Sequence, residues 1–309
     1  MSRSSSGFGV VLALAVVAAA VCLSSAPAYG AGVQVTTLQP FFNADDVMRY
    51  NGGALTAPSV TYDNPTQLAA DSWMVTQSAA NQLSSSQNVL TPSPVGINDN
   101  GLYPANATQL YDVQLGFTNA TPTGTNTVIQ ETTTGSGFTF NVPSNRYSQF
   151  AIFGSSGNGN TTLTITLNYS SGAPVVLNGV QLPDWYSGVP VSTAAGAAGT
   201  YFALTPAMSR NHQTAIYSTG GYQAPDAGGG AFIYGINLAP DSTRPLTSVT
   251  VLVTGLASPG STKANFMAAA GAVAGGSPTP TPAPATLILL LAGLGLVYWF
   301  FVRRQHRAF

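Results

Sequence analysis

The stretch Thr162–Tyr169 reads TLTITLNY, and it decides the fold class of this chain. Its apolar side chains occupy every second position and alternate with threonine and asparagine, which is the period of a half-buried β-strand. A turn sequence, Ser170–Pro174 (SSGAP), follows it, and Val175–Leu177 (VVL) then resumes an apolar run. Two such runs joined by a short glycine-containing loop predict a β-hairpin.

Strand signals extend outward from this hairpin in both directions at spacings of roughly ten residues. Turn sequences separate them, notably Gly154–Gly159 and Ala239–Pro245. Only Leu68–Leu83 has the composition for a helix. The pattern therefore predicts an all-β protein, folded as a single jelly-roll-like β-sandwich over residues 31–270. Its further strands are predicted at Leu110–Phe117, Thr125–Thr132, Phe138–Val142, Phe150–Phe153, Gly230–Leu238 and Ser248–Thr254.

Charged residues make up only 6% of the chain, and this scarcity excludes several functions. Between Ala31 and Pro282 there are five basic and ten acidic residues, with no basic patch, which argues against nucleic-acid binding. The single cysteine, Cys22, lies in the N-terminal apolar stretch. If that stretch is removed, the mature chain has no disulfide and no thiolate metal ligand.

The first 30 residues have the organisation of a secretory signal peptide. Arg3 supplies positive charge, Val10–Leu23 is continuously apolar, and Ser24–Gly30 is composed mainly of small residues. Cleavage is expected after Ala28 or Gly30. The alternative is an N-terminal helix that remains as an anchor.

The other end of the chain, residues 285–309, has the organisation of a transmembrane segment. Leu287–Val302 is apolar, and arginines follow it, which predicts that the C-terminus lies on the cytoplasmic side and the body outside. Residues 271–284 alternate proline with threonine or alanine near their end, and such a tract favours an extended stalk. The expected location is the inner membrane facing the periplasm, or the cell surface or exterior after processing.

This C-terminus resembles the PEP-CTERM sorting signal of exported bacterial proteins that an exosortase processes. Ala292–Leu296 (AGLGL) fits the helix of that signal. Alanine stands where the signal has glutamate. The resemblance implies an exosortase as a partner, and a permanent C-terminal anchor is the alternative. The matching positions of the motif and basic tail are Pro282, Ala283, Pro284, Ala285, Arg303 and Arg304.

Two segments of the body, Val180–Tyr186 (VQLPDWY) after the predicted hairpin and Phe41–Asp46 near the start, carry a second resemblance. They are similar to the segment that follows a hairpin, and to the opening, of galactose-binding-like β-sandwich domains. The resemblance implies a fold used mostly for binding carbohydrate or cell-surface material, and occasionally appended to glycosidases. Aromatic platforms with polar neighbours are typical of sugar sites. The candidate sugar-binding residues are Asp184, Trp185, Tyr186, Arg210 and Tyr222; the alternative for Trp185 is a place in the core.

Acidic pairs are the candidates for metal binding and catalysis. Asp45 and Asp46 offer oxygen ligands to calcium, as does Asn98–Gly101, although turn formation explains the same residues. Catalysis by histidine would depend on His212, the only histidine of the body, and no Gly-x-Ser-x-Gly motif accompanies it. Glycoside hydrolysis would need two carboxylates, with Asp184 and Asp226 as candidates.

The function predicted from these features is that of an exported, non-catalytic protein of the cell envelope or extracellular matrix. It is expected to bind polysaccharide and to need no cofactor, calcium being the exception left open. One alternative is a membrane-tethered, aspartate-type enzyme that degrades polysaccharide. The other is a structural coat protein without a ligand.

Overall fold

A computed structural model describes most of the chain between residues 33 and 275. The described residues are 33–56, 58–62, 72–86, 96–105, 111–122, 124–185, 201–203, 210–212, 222–223 and 232–275. The predicted signal peptide, the predicted transmembrane segment and the sorting motif lie outside them. Among the described helices, none has the length and apolar character needed to cross a membrane.

The described chain is built almost entirely of β-strands, which confirms the all-β class. Its helices are a short 3-10 helix, Thr36–Phe41, and one α-helix, α1, at Gln77–Ser86. The strands are β1 Val33–Val35, β2 Val47–Asn51, β3 Ala54–Thr56, β4 Ser72–Val75, β5 Leu102–Tyr103, β6 Val113–Gln114, β7 Ile129–Glu131, β8 Gly137–Asn145, β9 Tyr147–Gly157, β10 Thr161–Tyr169, β11 Val175–Leu182, β12 Tyr201–Ala203, β13 Arg210–His212, β14 Tyr222–Gln223, β15 Tyr234–Asn237, β16 Leu246–Leu256 and β17 Lys263–Val273.

The strands form three main sheets and one short pair. The six-stranded sheet has the order β1-β17-β9-β15-β12, with β7 also paired to β17. The four-stranded sheet has the order β11-β10-β16-β8, and the five-stranded sheet β14-β13-β4-β2-β3. Strands β5 and β6 pair only with each other among the described residues. Every described pairing between strands is antiparallel except that of β2 with β4.

The hairpin predicted from TLTITLNY forms as expected. Strand β10 pairs with β11, although β11 continues five residues beyond the predicted end at Leu177. The alternation predicted the burial correctly, because Leu163, Ile165 and Leu167 are fully buried while the residues between them are partly exposed. These side chains share a core with Phe150 and Ile152 of the six-stranded sheet. The two sheets therefore bury a common apolar layer, as in a β-sandwich.

The six-stranded sheet buries its other face as well, which the prediction of a single sandwich did not include. In β9, Ala151 and Phe153 belong to a second core cluster, opposite Phe150 and Ile152. That second cluster also contains Val47 of β2 and residues from the β5–β6 region. The five-stranded sheet and the connections around it therefore cover a face that a two-sheet sandwich would leave to solvent.

Strand β17 is the longest of the strands that the sequence did not predict. Its sequence, KANFMAAAGAV, has no apolar–polar alternation, because its first nine residues are all buried. Small side chains suit this position: a Cβ added at Gly271 would lie 2.6 Å from the Gln149 carbonyl oxygen. The strand ends at Val273, so it continues three residues into the range predicted as a stalk.

Strand β9 also extends through a segment that was predicted to be a loop. Gly154 pairs with Phe266 and lies so close to β17 that an added Cβ would be 2.1 Å from the Asn265 carbonyl oxygen. A glycine here therefore serves close strand packing and not a turn. The turn comes later, at Asn158 and Gly159, whose φ angles of 59° and 103° are left-handed.

Helix α1 overlaps only the second half of the segment predicted as helical. The first half contains strand β4, and the helix begins after Thr76, whose hydroxyl accepts a hydrogen bond from Ala79 N at 3.4 Å. Asp99 supplies a second cap, because its carboxylate accepts hydrogen bonds from the Ser78 amide and hydroxyl groups. A negative charge at a helix N-terminus is favourable. The Asn98–Gly101 segment therefore forms a turn and caps the N-terminus of α1.

Candidate functional site

Asp184 holds the end of the β10–β11 sheet to the turn after β9. Its carboxylate accepts a hydrogen bond from the Gly159 amide, and its own amide donates to the Asn160 side-chain oxygen at 2.8 Å. The neighbouring backbone is fixed too, because Trp185 N donates to the Ser156 carbonyl at 2.7 Å. Asp184 is partly exposed, but its hydrogen bonds are those of a residue that organises a turn.

Trp185 is a core residue. Only 1% of its surface is exposed, and its indole ring stacks on the Tyr62 ring with centroids 4.5 Å apart. Tyr62 is itself fully buried, and its hydroxyl shares a hydrogen bond with the Ser155 hydroxyl. A sugar platform needs an open ring face, so the position of Trp185 contradicts the hypothesis that it forms one.

The structure gives the strand positions of two other predicted sugar-binding residues. Arg210 and Tyr222 lie on paired strands, β13 and β14, where Arg210 is opposite Gln223 and Tyr222 is opposite Asn211. These strands belong to the five-stranded sheet, whereas Asp184 follows the four-stranded sheet. Tyr186 lies outside the described residues.

We expect the substitution Trp185→Ala to lower the free energy of unfolding by about 3 kcal/mol, because it empties a packed aromatic site. The matched control is Phe41→Ala, since Phe41 is 39% exposed and its loss should cost only about 1 kcal/mol. Thermal and urea unfolding of the two variants measures both values. An unchanged melting temperature for Trp185→Ala would show that the indole is exposed after all.

The predicted calcium pair, Asp45 and Asp46, lies in a buried charged cluster at the start of β2. Arg49 donates from Nη1 to Asp45 Oδ1 at 2.7 Å and from Nη2 to Asp45 Oδ2 at 3.0 Å. Both oxygens of Asp45 are therefore occupied by a guanidinium group. Within the described part of the chain, no three acidic, histidine or cysteine side chains gather as a metal site. This arrangement does not favour calcium at the pair.

Arg49 connects this cluster to a distant loop. Its Nε donates to the Thr121 carbonyl at 3.1 Å, and its Nη2 also donates to the Pro122 carbonyl at 3.1 Å. The side chain is fully buried, so each of these bonds replaces water that the group has lost. The cluster thus links β2 to the segment that precedes β7.

Asp46 is the unusual member of the cluster. It is fully buried, and neither of its carboxylate oxygens has a hydrogen-bond partner among the described residues. Burial is the main cause that raises the pKa of Asp46 from 3.8 to about 8; the neighbouring Asp45 charge acts in the same direction, while Lys263 and Thr127 oppose the rise. The side chain is consequently protonated at neutral pH, and a neutral acid is easier to bury than a carboxylate.

A cavity of about 330 Å³ lies beside the 3-10 helix, the 114–121 segment and β17. Its walls include Leu38, Phe117 and Met267 together with glutamine and threonine side chains. None of the described residues that line it carries a charge. The cavity therefore offers space, but its described walls provide no acid or base that could act on a substrate.

The exposed face of the four-stranded sheet is uncharged. None of its four strands contains an Asp, Glu, Lys or Arg. One row of directly opposed residues crosses all four strands, and threonine hydroxyls dominate it. We call this surface the polar face. It comprises the row Thr139, Thr250, Thr166 and Val176 and the outward-pointing neighbours Thr164 and Asn178.

The polar face was not predicted from the sequence, although the alternating threonines that form it were visible there. Thr162, Thr164 and Thr166 take every second position of β10, and Thr250 and Thr254 lie on either side of Leu252 in β16. Pairing of these strands with β8 and β11 places the residues side by side. Comparison with known proteins adds no functional assignment: no protein-family model matches this sequence, and no curated protein matches it.

Proposed function

We propose that this chain is an exported, non-catalytic protein of the cell envelope or extracellular matrix that binds polysaccharide. The signal-peptide pattern of residues 1–30 and the C-terminal segment support export and sorting. The resemblance to galactose-binding-like domains supports a jelly-roll-like relationship and carbohydrate as the ligand class. The partners proposed are the membrane, an exosortase and an extracellular polysaccharide.

The proposal that the protein is not a catalyst rests on one observation, the hydrogen bonds and burial of the described aspartates. Asp45 binds Arg49, Asp99 caps α1, and Asp184 accepts from Gly159. Asp112 accepts from the Ala105 amide at 2.8 Å, and Asp241 pairs with Arg244 at 2.7 Å. Asp46 is buried. A glycosidase needs two carboxylates beside an open cleft, and these six are engaged in structure or inaccessible, whereas the candidate Asp226 lies outside the described residues.

Binding without cleavage tests this function. The purified full-length chain should co-sediment with at least one insoluble neutral polysaccharide and release no new reducing ends on prolonged incubation. Release of reducing ends that is lost in Asp184→Asn would favour the tethered enzyme instead. Absence of binding across the polysaccharides would favour the structural coat protein.

The proposed topology gives a separate expected result. External protease should remove the body from whole cells or from spheroplasts, because the arginine tail directs only the C-terminus inward. Mass spectrometry of the mature protein should find no peptide beyond about Ala285 if an exosortase cleaves the chain. Peptides from Leu287 onward in the mature form would identify a permanent anchor, and a chain protected in both preparations would contradict export.

A further inference from the structure

We infer that the polar face of the four-stranded sheet is the surface that binds polysaccharide, and that its ligand is an extended, uncharged chain. This inference rests on the proposed function and deepens it by naming the site and the ligand class. It moves the binding site from the loops around Trp185 to the outward side chains of β8, β10, β11 and β16.

The absence of charge is the first reason. Charged side chains on exposed sheets usually keep proteins soluble and separate. These four strands carry none. A nucleic acid would require cationic side chains, and an acidic polysaccharide would gain no attraction here. A neutral partner fits because it need not strip water from any charged group on this surface.

The second reason is the regular arrangement of hydrogen-bonding groups. Thr139 lies opposite Thr250, which lies opposite Thr166, which lies opposite Val176. Neighbouring strands are about 4.8 Å apart, and residues on one face repeat about every 6.8 Å along a strand. The face therefore presents a two-dimensional array of hydroxyl and amide groups that can both donate and accept. Sugar hydroxyl groups have the same dual capacity.

Contacts within the array hold its side chains in position. The Thr139 and Thr250 hydroxyls are 2.9 Å apart, and Thr164 donates to Asn178 Oδ1 at 3.2 Å. Gln181 donates to the Thr162 hydroxyl at 3.0 Å. Side chains that are already ordered lose less conformational entropy when a ligand binds. Thr166, at the centre of the row, forms no side-chain hydrogen bond with any other described residue, so its hydroxyl is open to a ligand.

The third reason is the position of the exposed apolar groups. The described chain has three large hydrophobic side chains on its surface, and two of them, Val176 and Leu252, lie in these strands. Val176 is 50% exposed at the end of the threonine row, and Leu252 is 38% exposed in β16. Together with the threonine methyl groups, they can contact the C–H faces of sugar rings while the hydroxyls bond the ring substituents.

The test introduces charge at the centre of the face. Thr166→Lys and Thr250→Lys, each in the full chain, are compared with wild type for binding to microcrystalline cellulose, amylose, curdlan and the anionic polymer alginate. The matched control is Thr125→Lys, because Thr125 is exposed in a loop before β7. Thr166→Val keeps the shape and removes only the hydroxyl. Melting temperatures establish that each variant is folded.

We expect wild type and Thr125→Lys to bind the same neutral polymer and to ignore alginate. The two face lysines should weaken that binding by about tenfold or more, and Thr166→Val by a smaller factor, because it removes one neutral hydrogen bond. If all variants bind as well as wild type, the polar face is not the site, while the proposed function stands.

Two other outcomes would also overturn the inference. If wild type binds only alginate, the ligand class is wrong. If wild type is a dimer by light scattering and the face lysines make it monomeric, then the polar face is a contact between copies of this chain. Failure of wild type to bind any of the four polymers would instead contradict the proposed function itself.

Discussion

Replacing Arg49 with alanine is expected to lower the free energy of unfolding by about 4 kcal/mol, because it leaves a buried carboxylate without its partner. Asp45 would lose both guanidinium hydrogen bonds. The Thr121 and Pro122 carbonyls would lose their donors in the same substitution. Equilibrium urea unfolding, followed by far-ultraviolet circular dichroism, measures the loss.

The matched control for Arg49 is the second ion pair of the described chain. Arg244 pairs with Asp241 at 2.7 Å and lies 4.1 Å from the centre of the Tyr169 ring, but its side chain is 25% exposed. Arg244→Ala should cost about 1 kcal/mol, since exposed ion pairs and cation–π contacts are weak. Equal losses for the two variants would mean that burial is not what makes the Arg49 pair important.

A double substitution separates the pair's net contribution from the cost of breaking it. Removing both charges, as in Asp45→Leu with Arg49→Met, leaves no unpaired ion and is expected to recover most of the lost stability. Arg49→Lys should remain destabilised, because lysine keeps the charge but lacks the planar fork that binds both carboxylate oxygens. A double variant as unstable as Arg49→Ala would show that the carbonyl bonds of Arg49 dominate.

Replacing Asp46 with asparagine is expected to stabilise the protein increasingly as the pH rises. The pKa of Asp46 is raised from 3.8 to about 8 in the folded state, chiefly by burial. The folded state therefore holds a proton that the unfolded state releases. The stability that this proton contributes is complete below pH 3.8 and is lost as the pH rises to about 8.

The difference in proton binding between the folded and unfolded states sets the slope of stability against pH. Between those two pKa values the wild-type free energy of unfolding should fall by about 1.4 kcal/mol per pH unit through this group alone. The groups around Asp46 that influence it are Asp45, Lys263 and Thr127. The Asp46→Asn variant lacks the titrating group, so its advantage over wild type should grow with pH to about 8 and then level off.

Urea unfolding at intervals from pH 5 to pH 9 measures this difference. The control is Asp241→Asn: hydrogen bonds from Thr243 and Arg244 hold the pKa of Asp241 to about 2. Its contribution is therefore lost only as the pH falls through the acidic range, and Asp241→Asn should show no added slope from pH 5 to pH 9. A constant difference between wild type and Asp46→Asn would show that Asp46 does not titrate in this interval.

Much of the four-stranded sheet could be predicted from the sequence. Strands β8, β10 and β16 alternate apolar and polar residues because one face packs on the core and the other meets solvent. The alternating residues of a half-buried strand show which of its faces is buried. The fold class and the hairpin could therefore be predicted from the sequence. The scarcity of charge, which defines the polar face, is likewise a property of the sequence alone.

The six-stranded sheet could not be predicted in the same way. Strand β17 is buried on both faces, and small residues replace the alternating pattern because strands and side chains approach it closely. The layer formed around β2 and the five-stranded sheet is built from short strands, and the pairing of β4 with β13 joins segments that lie far apart in the chain. Neither feature has a period that a window of neighbouring residues can detect.

The candidate site residues likewise depend on contacts that the local sequence does not show. Asp45 and Asp46 were predicted as calcium ligands, and Trp185 as a sugar platform, from residue type alone. Their environments depend on Thr121 and Pro122, which hold Arg49, and on Tyr62, which lies more than a hundred residues before Trp185. The sequence determined which residues repeat and where charge is missing; the tertiary structure decided which polar and aromatic groups are buried, because burial depends on contacts between distant segments.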